Sequence, residues 1–205
     1  LDAALQDIPF DGWTSNVISN AAATLEIEPS AVRLAFPNSA MDLLTYYSKE
    51  MDLKLIRMLE ASDLSEMRIR EKITYAVRAR LELMAPNREA ARRGFLTLSL
   101  PFNAISGAQC LYGTVDAVWQ GIGDTSTDFN FYSKRAILSG VYVATMAVFF
   151  DDVSEGFQKT WAFLDRRIED VMQIEKVKAN VKGVTNKLPS PFSVFDAVRA
   201  AQRRR

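Results

Sequence analysis

The chain has 205 residues, 48% of them hydrophobic and 24% charged, which suits a folded protein with a sizeable core and excludes a disordered composition. Lysine plus arginine and aspartate plus glutamate both number 25, so no net positive field exists to condense onto nucleic-acid phosphates. Histidine is absent and Cys110 is the one cysteine, which excludes Ser-His and Cys-His dyads, imidazole metal ligands, an intrachain disulfide and a CxxC site.

The first residues carry neither the charged and apolar regions of a signal peptide nor an Arg-rich transit segment. The longest uncharged run, Ala136 to Phe150, falls short of the ~20 apolar residues that span a bilayer, so a soluble protein is expected. Apolar residues recur at helical spacing with no sustained alternation, which predicts an all-α chain without internal repeats.

Leu1 to Ile8 reads as a first helix, closed by Pro9 and Gly12. Thr14 or Ser15 caps a second through about Leu25, and Pro29 opens a short third that ends near Phe36 and Pro37. A long fourth, Ala40 to about Ala61, carries Leu43, Leu44, Tyr47, Met51, Leu55 and Met58 on one stripe. Ser62 and Asp63 supply the cap of a fifth, Ser65 to Met84, whose outer face holds Arg68, Arg70, Lys72, Arg78 and Arg80. A sixth begins at Pro86-Asn87 and stops before Pro101. Three long helices follow: Phe102 to Gly121, Phe129 to Phe150 and Ser154 to about Ile174. The middle one is apolar on every face and is expected to be surrounded by others. Three divisions follow from this order: a unit over 1–39, a helical bundle over 40–175, and a basic linker with an amphipathic tail over 176–205.

Gly12, Thr14, Ile18, Ala21, Phe36 and Leu43 make the first unit similar to the helix-turn-helix of TetR-family regulators. The spacing between Ile18 and Phe36 is longer than that pattern, and Thr14 to Asn38 offers one arginine, no lysine and two glutamates. Recognition helices rely on basic and amide side chains, so a vestigial packing unit without nucleic-acid binding is expected.

The run Gly123-Asp-Thr-Ser-Thr-Asp-Phe-Asn-Phe-Tyr-Ser-Lys-Arg-Ala136 is long and chemically uneven. Leu138, Tyr142 and Thr160-Trp-Ala-Phe-Leu164 continue it, with Gly12-Trp-Thr14, Leu100-Pro-Phe-Asn103 and Asp116-Ala-Val-Trp119 upstream. Together they resemble the signature of a ubiquinone-biosynthesis accessory family, the ninth Coq protein of mitochondria and its alphaproteobacterial relatives. The resemblance implies a TetR-like fold, a hydrophobic cavity for isoprenoid lipids, membrane association through a C-terminal helix, and docking to the di-iron demethoxyubiquinone hydroxylase. A ferritin-like di-iron site needs Glu-x-x-His pairs, and a chain without histidine cannot supply them, so the chemistry is expected in that partner. The ligand-responsive TetR-type regulator is the rival reading; no cofactor is expected.

Asp124 and Asp128 flank Thr-Ser-Thr without the ligand pattern of an EF-hand, and the plain local reading is a cap for the next helix. Gly121-Ile-Gly123 lacks the strand and third glycine of a dinucleotide fingerprint and reads as a helix stop. Asp151-Asp152 marks a turn. By the family resemblance Asp128, Phe131, Tyr132 and Arg135, with Val118 beside them, become candidates for hydroxylase docking. Leu98, Phe102, Ile105, Leu111, Val115, Trp119, Ile137, Val141, Met146, Trp161 and Leu164 are the expected cavity wall, with the two tryptophans at its mouth. Phe149, Phe150 and Phe163 are assigned to core, and Cys110 to a buried structural thiol. In the tail, Phe192, Val194, Phe195 and Val198 could enter a membrane interface while Arg199, Arg203, Arg204 and Arg205 meet anionic headgroups; a disordered terminus is the other reading. A homodimer, peripheral on the cytoplasmic face of a bacterial inner membrane or on the matrix side of the mitochondrial one, completes the expectation.

Overall fold

The computed structural model describes residues 1–124 and 129–185, apart from the side chains of 129, 130 and 174–185. Among the described residues every regular element is helical: α1 (Asp2–Asp11), α2 (Ser15–Thr24), α3 (Pro29–Ala35), α4 (Ala40–Glu60), α5 (Ile69–Glu82), α6 (Arg88–Leu98), α7 (Ala104–Gly121), α8 (Phe129–Asp151) and α9 (Gln158–Thr185). Two compact units result, Leu1–Asp165 and a second from Arg166 onward.

Local chemistry explains most boundaries. Thr14 takes an extended conformation and accepts from the Val17 N–H at 3.4 Å, opening α2, and Pro29 stands in the first turn of α3. Pro9 lies inside α1 instead of ending it: proline removes only its own donor, and the helix stops where Gly12 enters the left-handed region at φ +72°. α5 starts at Ile69, not Ser65, because Asp63 turns its carboxylate onto Ser65 (Oδ1 to N, 3.0 Å; to Oγ, 2.7 Å) and holds that segment as a loop. Arg68 N–H donates instead to Glu71 at 2.8 Å, in the manner of a capping box. Prolines 86 and 101 sit in short 3-10 turns, so α6 and α7 begin at Arg88 and Ala104. α9 runs to Thr185, past Glu175, where the lysine-rich composition predicts a linker.

α4 is the spine of the first unit, and its closest packing is with α7. It buries Leu43, Leu44, Tyr47, Met51, Leu55 and Leu59; Met58, expected on the stripe, faces outward because Leu59 occupies the buried position. Trp13 fastens the N-terminal helices to the bundle, with Nε1 donating to the Ala90 carbonyl at 3.0 Å and its ring 5.5 Å from that of Tyr47.

Among the described residues α8 is covered on one side only. Leu138, Val141, Tyr142, Thr145, Phe149 and Phe150 are buried, whereas Ala136, Gly140 and Ala147 are exposed: the outward positions hold small residues, so the uncharged run from Ala136 to Phe150 needs no complete enclosure. At its end Phe149 meets Phe150, Phe157 and Trp161 with ring centroids 4.8–6.5 Å apart. Such pairs contribute about 0.5–1.5 kcal/mol each beyond area burial. Asp152 closes the corner, accepting from the N–H and hydroxyl of both Ser154 and Thr160 at 2.5–2.8 Å.

Candidate functional site

Four small residues open a space between α4, α6, α7 and α8. A Cβ on Gly107 would lie 2.5 Å from the Leu98 carbonyl oxygen, and one on Gly94 2.7 Å from Leu44 Cδ1, so both helices approach through glycine. Ala91 and Ala108 add little bulk beside them. The resulting cavity has a volume of about 260 Å³. Leu44 and Tyr47 line it from α4, Phe95 and Leu98 from α6, Leu111 and Cys110 from α7, and Tyr142, Val143 and Met146 from α8. Ser99 and Ala108, both exposed, mark its opening.

Its inner end is polar. Arg80 is 2% exposed, with Nε donating to Asp52 Oδ1 at 2.8 Å and Nη2 to the Ser48 carbonyl at 3.3 Å. The Thr114 hydroxyl donates to the same Asp52 oxygen at 2.9 Å. Nη1 of Arg80 and the hydroxyl of Tyr47 are buried without a hydrogen-bond partner among the described residues. Burial pushes the Tyr47 hydroxyl up to about 12 against the pull of Arg80, so it stays protonated. Burial also works against the Arg80 charge, but Tyr142 and Asp52 outweigh it and hold the guanidinium above its ordinary value. The Asp52 carboxyl is moved up by its own burial; with a permanently charged guanidinium at 2.8 Å, it is the ion pair that persists.

Arg80 therefore does not belong to the basic outer face of α5, where the sequence reading put it. Ala76, Val77, Arg80 and Leu81 share the buried face, while Arg78 points outward and pairs with Glu82 at 2.8 Å. The missed signals were an arginine in register with Ala76 and Val77, and Asp52 inside the apolar stripe of α4, between Met51 and Leu55.

Of the expected wall, Leu98, Leu111 and Met146 line the cavity. Val115, Val141 and Leu164 are buried in helix packing and Ile137 is half-buried, none of them at the wall. Phe102 and Ile105 are 82% and 77% exposed, because the 3-10 turn at Pro101 swings them outward. Neither tryptophan stands at the mouth: Trp161 donates to the Gly156 carbonyl at 2.7 Å beneath Arg78, and Trp119 is buried under Lys134. Cys110 is half-buried on the cavity wall, with its thiol pushed up by burial.

The expected docking residues separate by depth. Tyr132 is 69% exposed and Phe131 half-buried, in edge contact at 5.1 Å. Val118 and Arg135 are buried, and a partner cannot reach them directly. Val118 sits on the inward face of α7 with Val115 and Trp119. Arg135 donates to Asp116 through Nε and Nη2 at 2.8 and 2.7 Å and lies 3.4 Å over the Phe131 ring, so it orients that ring. Asp128 and the tail residues Phe192, Val194, Phe195, Val198, Arg199, Arg203, Arg204 and Arg205 lie outside the described residues. Among the described residues no group of acidic or thiol side chains is arranged to hold a metal, and no helix is long and apolar enough to cross a membrane.

An all-α bundle with three short N-terminal helices is the TetR-like class of fold. A TetR transcriptional regulator from Nitrosomonas europaea superimposes with a TM-score of 0.62 over 82% of this chain and 92% of that one. At 19% identity the likeness shows the fold alone and does not favour a regulatory role. The sequence is more particular. Residues 104–175, from α7 into α9, match the COQ9 family model. The chain is 33% identical over 189 residues to the mitochondrial ubiquinone biosynthesis protein COQ9 of Homo sapiens, covering 89% of this chain and 59% of that protein. The Rattus norvegicus protein is 34% identical over 189 residues, and the Drosophila melanogaster protein 28% over 197 residues. The chain spans about 60% of the length of these curated relatives. The run from Gly123 to Ala136 lies inside the residues that match the COQ9 family model, and the chain as a whole resembles COQ9 proteins on a TetR-like fold.

Proposed function

We propose that this protein serves ubiquinone biosynthesis as a non-catalytic accessory: it holds an isoprenoid quinone precursor in the cavity between α4, α6, α7 and α8 and presents it to a membrane-associated di-iron hydroxylase. The observation that carries the reading is the apolar cavity of about 260 Å³ opening at Ser99 and Ala108. That volume lies just under the ~300–1,000 Å³ typical of ligand pockets, room for a ring and the start of a chain, with a longer tail leaving through the opening. Each buried methylene contributes ~0.8 kcal/mol, so even a short enclosed stretch gives retention.

Directly after the lining residues Leu98 and Ser99, the turn to α7 exposes Leu100, Phe102 and Ile105, apolar side chains suited to a membrane surface. The basic, aromatic tail over 192–205 would add a second attachment, at about 1 kcal/mol per arginine near anionic lipid. Phe131 and Tyr132, with Asp128, would receive the hydroxylase, and the setting would be peripheral, on the cytoplasmic face of a bacterial inner membrane or the matrix side of the mitochondrial one, with the protein a homodimer. Organic extraction and native mass spectrometry of the purified protein test the reading. An isoprenoid quinone or its phenolic precursor is expected, or its uptake when added, with a raised melting temperature. Extraction without lipid, and no shift with added quinone, would end it.

A further inference from the structure

Two hydrogen-bonding groups of residues at the inner end of the cavity find no partner among the described residues. Arg80 and Tyr47 both line the cavity, and Arg80 Nη1 and the Tyr47 hydroxyl are buried with no hydrogen-bond partner among the described residues, although leaving buried polar groups unpaired is unfavourable. The rest of the arginine is fixed: Nε is held by Asp52 and Nη2 by the Ser48 carbonyl, so Nη1 is the one part of the fork left to serve the cavity. Thr114 in turn fixes Asp52.

Building on the lipid-holding reading above, we infer that Arg80 Nη1 and the Tyr47 hydroxyl form the head-group end of the site and donate to a neutral ring oxygen, a quinone carbonyl or a phenol, with the isoprenoid tail directed past Phe95, Leu98 and Leu111 to the opening. The charge count selects a neutral head. Asp52 already balances Arg80 at 2.8 Å, and a phosphodiester would add a second buried negative charge beside that carboxylate. The protonated Tyr47 hydroxyl serves a carbonyl as donor and can accept from a phenol. Head-group selection is therefore built from α4 and α5, outside the family-matched residues 104–175, while α6, α7 and α8 supply the apolar wall.

The experiment is a titration of the full chain followed by tryptophan emission, since the Trp13 ring lies 5.5 Å from that of Tyr47. Three probes are compared: a ubiquinone with a ten-carbon side chain, the same chain on unsubstituted benzene, and a lysophosphatidylglycerol of similar length. The wild type is expected to prefer the quinone over the oxygen-free probe by at least fivefold, and Tyr47→Phe to lower quinone affinity about fivefold while leaving the benzene probe unchanged, the effect of one hydrogen bond. Because the hydroxyl has no partner among the described residues, Tyr47→Phe should leave the ligand-free melting temperature unchanged or raised. Arg80→Lys, which keeps the charge and loses the fork, should also reduce the preference. Equal affinity of the wild type for quinone and benzene probes, or an unchanged preference in Tyr47→Phe, overturns the inference and leaves the lipid reading standing. A loss confined to the phospholipid overturns the neutral head, and no binding of any probe overturns both readings.

Discussion

Asp52→Leu removes the carboxylate that Arg80 and Thr114 share. The side chains of Arg80 and Asp52 are 3% and 12% exposed, so bulk water has little access to the place of the lost partner. Breaking a buried ion pair from one side costs about 3–5 kcal/mol, and the stranded Thr114 hydroxyl adds about 1 kcal/mol. Against a typical stability of ~5–15 kcal/mol this brings the single variant close to unfolding at ambient temperature. Asp52→Leu combined with Arg80→Met removes both charges and retains much of the volume; the Ser48 carbonyl loses a donor at 3.3 Å and the Thr114 hydroxyl, as in the single variant, its acceptor. The double variant is expected within about 2 kcal/mol of wild type, because replacing both members of a buried pair by apolar groups is often near neutral. Urea unfolding followed by circular dichroism measures all three proteins. A single variant within 1 kcal/mol of wild type, or a double variant no more stable than the single, would refute the assignment of Arg80 as a buried charge held by Asp52.

Burial works to raise the Asp152 carboxyl, but the hydrogen bonds from Ser154 and Thr160 outweigh it and hold it well below the ordinary value of 3.8. Its stabilising contribution is therefore full above about pH 4 and is lost as pH falls toward the folded-state value; Asp152→Asn should lower stability by about 1–2 kcal/mol at pH 7 and flatten the acid limb of a pH–stability curve, and equal limbs would count against it. Gly107→Ala should destabilise by about 1–3 kcal/mol, since its Cβ meets the Leu98 carbonyl at 2.5 Å, whereas Gly140→Ala, with nothing within 4 Å, should be neutral or stabilising; thermal melts of the pair read the contrast. Tyr132→Ala should weaken hydroxylase capture by about 2 kcal/mol with an unchanged melting temperature, Asp128→Lys should weaken it less, and equal recovery of all three proteins in a pull-down would reject the patch. Mobility-shift assays should show no specific nanomolar duplex binding, since Arg33 is the one basic residue from Thr14 to Asn38. Deleting the residues after Lys187 should reduce flotation with anionic liposomes, and unchanged flotation would leave the tail without a membrane role.

The sequence determined what depends on neighbours along the chain. Thr14 and Pro29 set helix starts, Gly12 a stop, and the apolar spacing of α4 its buried face, because caps, φ preferences and 3.6-residue periodicity act within a few residues. The uneven run from Gly123 to Ala136, with the motifs before and after it, likewise carried the family resemblance, since a chemically specific string needs no fold to be read. Local rules failed where a loop competed for the same groups, as when Asp63 bound Ser65 and moved the start of α5. Only the tertiary structure decided which apolar residues enclose space and which fill it: Leu98, Leu111 and Met146 line the cavity while Val115, Val141 and Leu164 pack, though all six suit either role. It also turned Arg80 from an apparent surface charge into the polar end of that cavity, because Arg80 lies 28 residues from its partner Asp52, and Asp52 lies 62 from Thr114, separations that no periodicity within one helix can register.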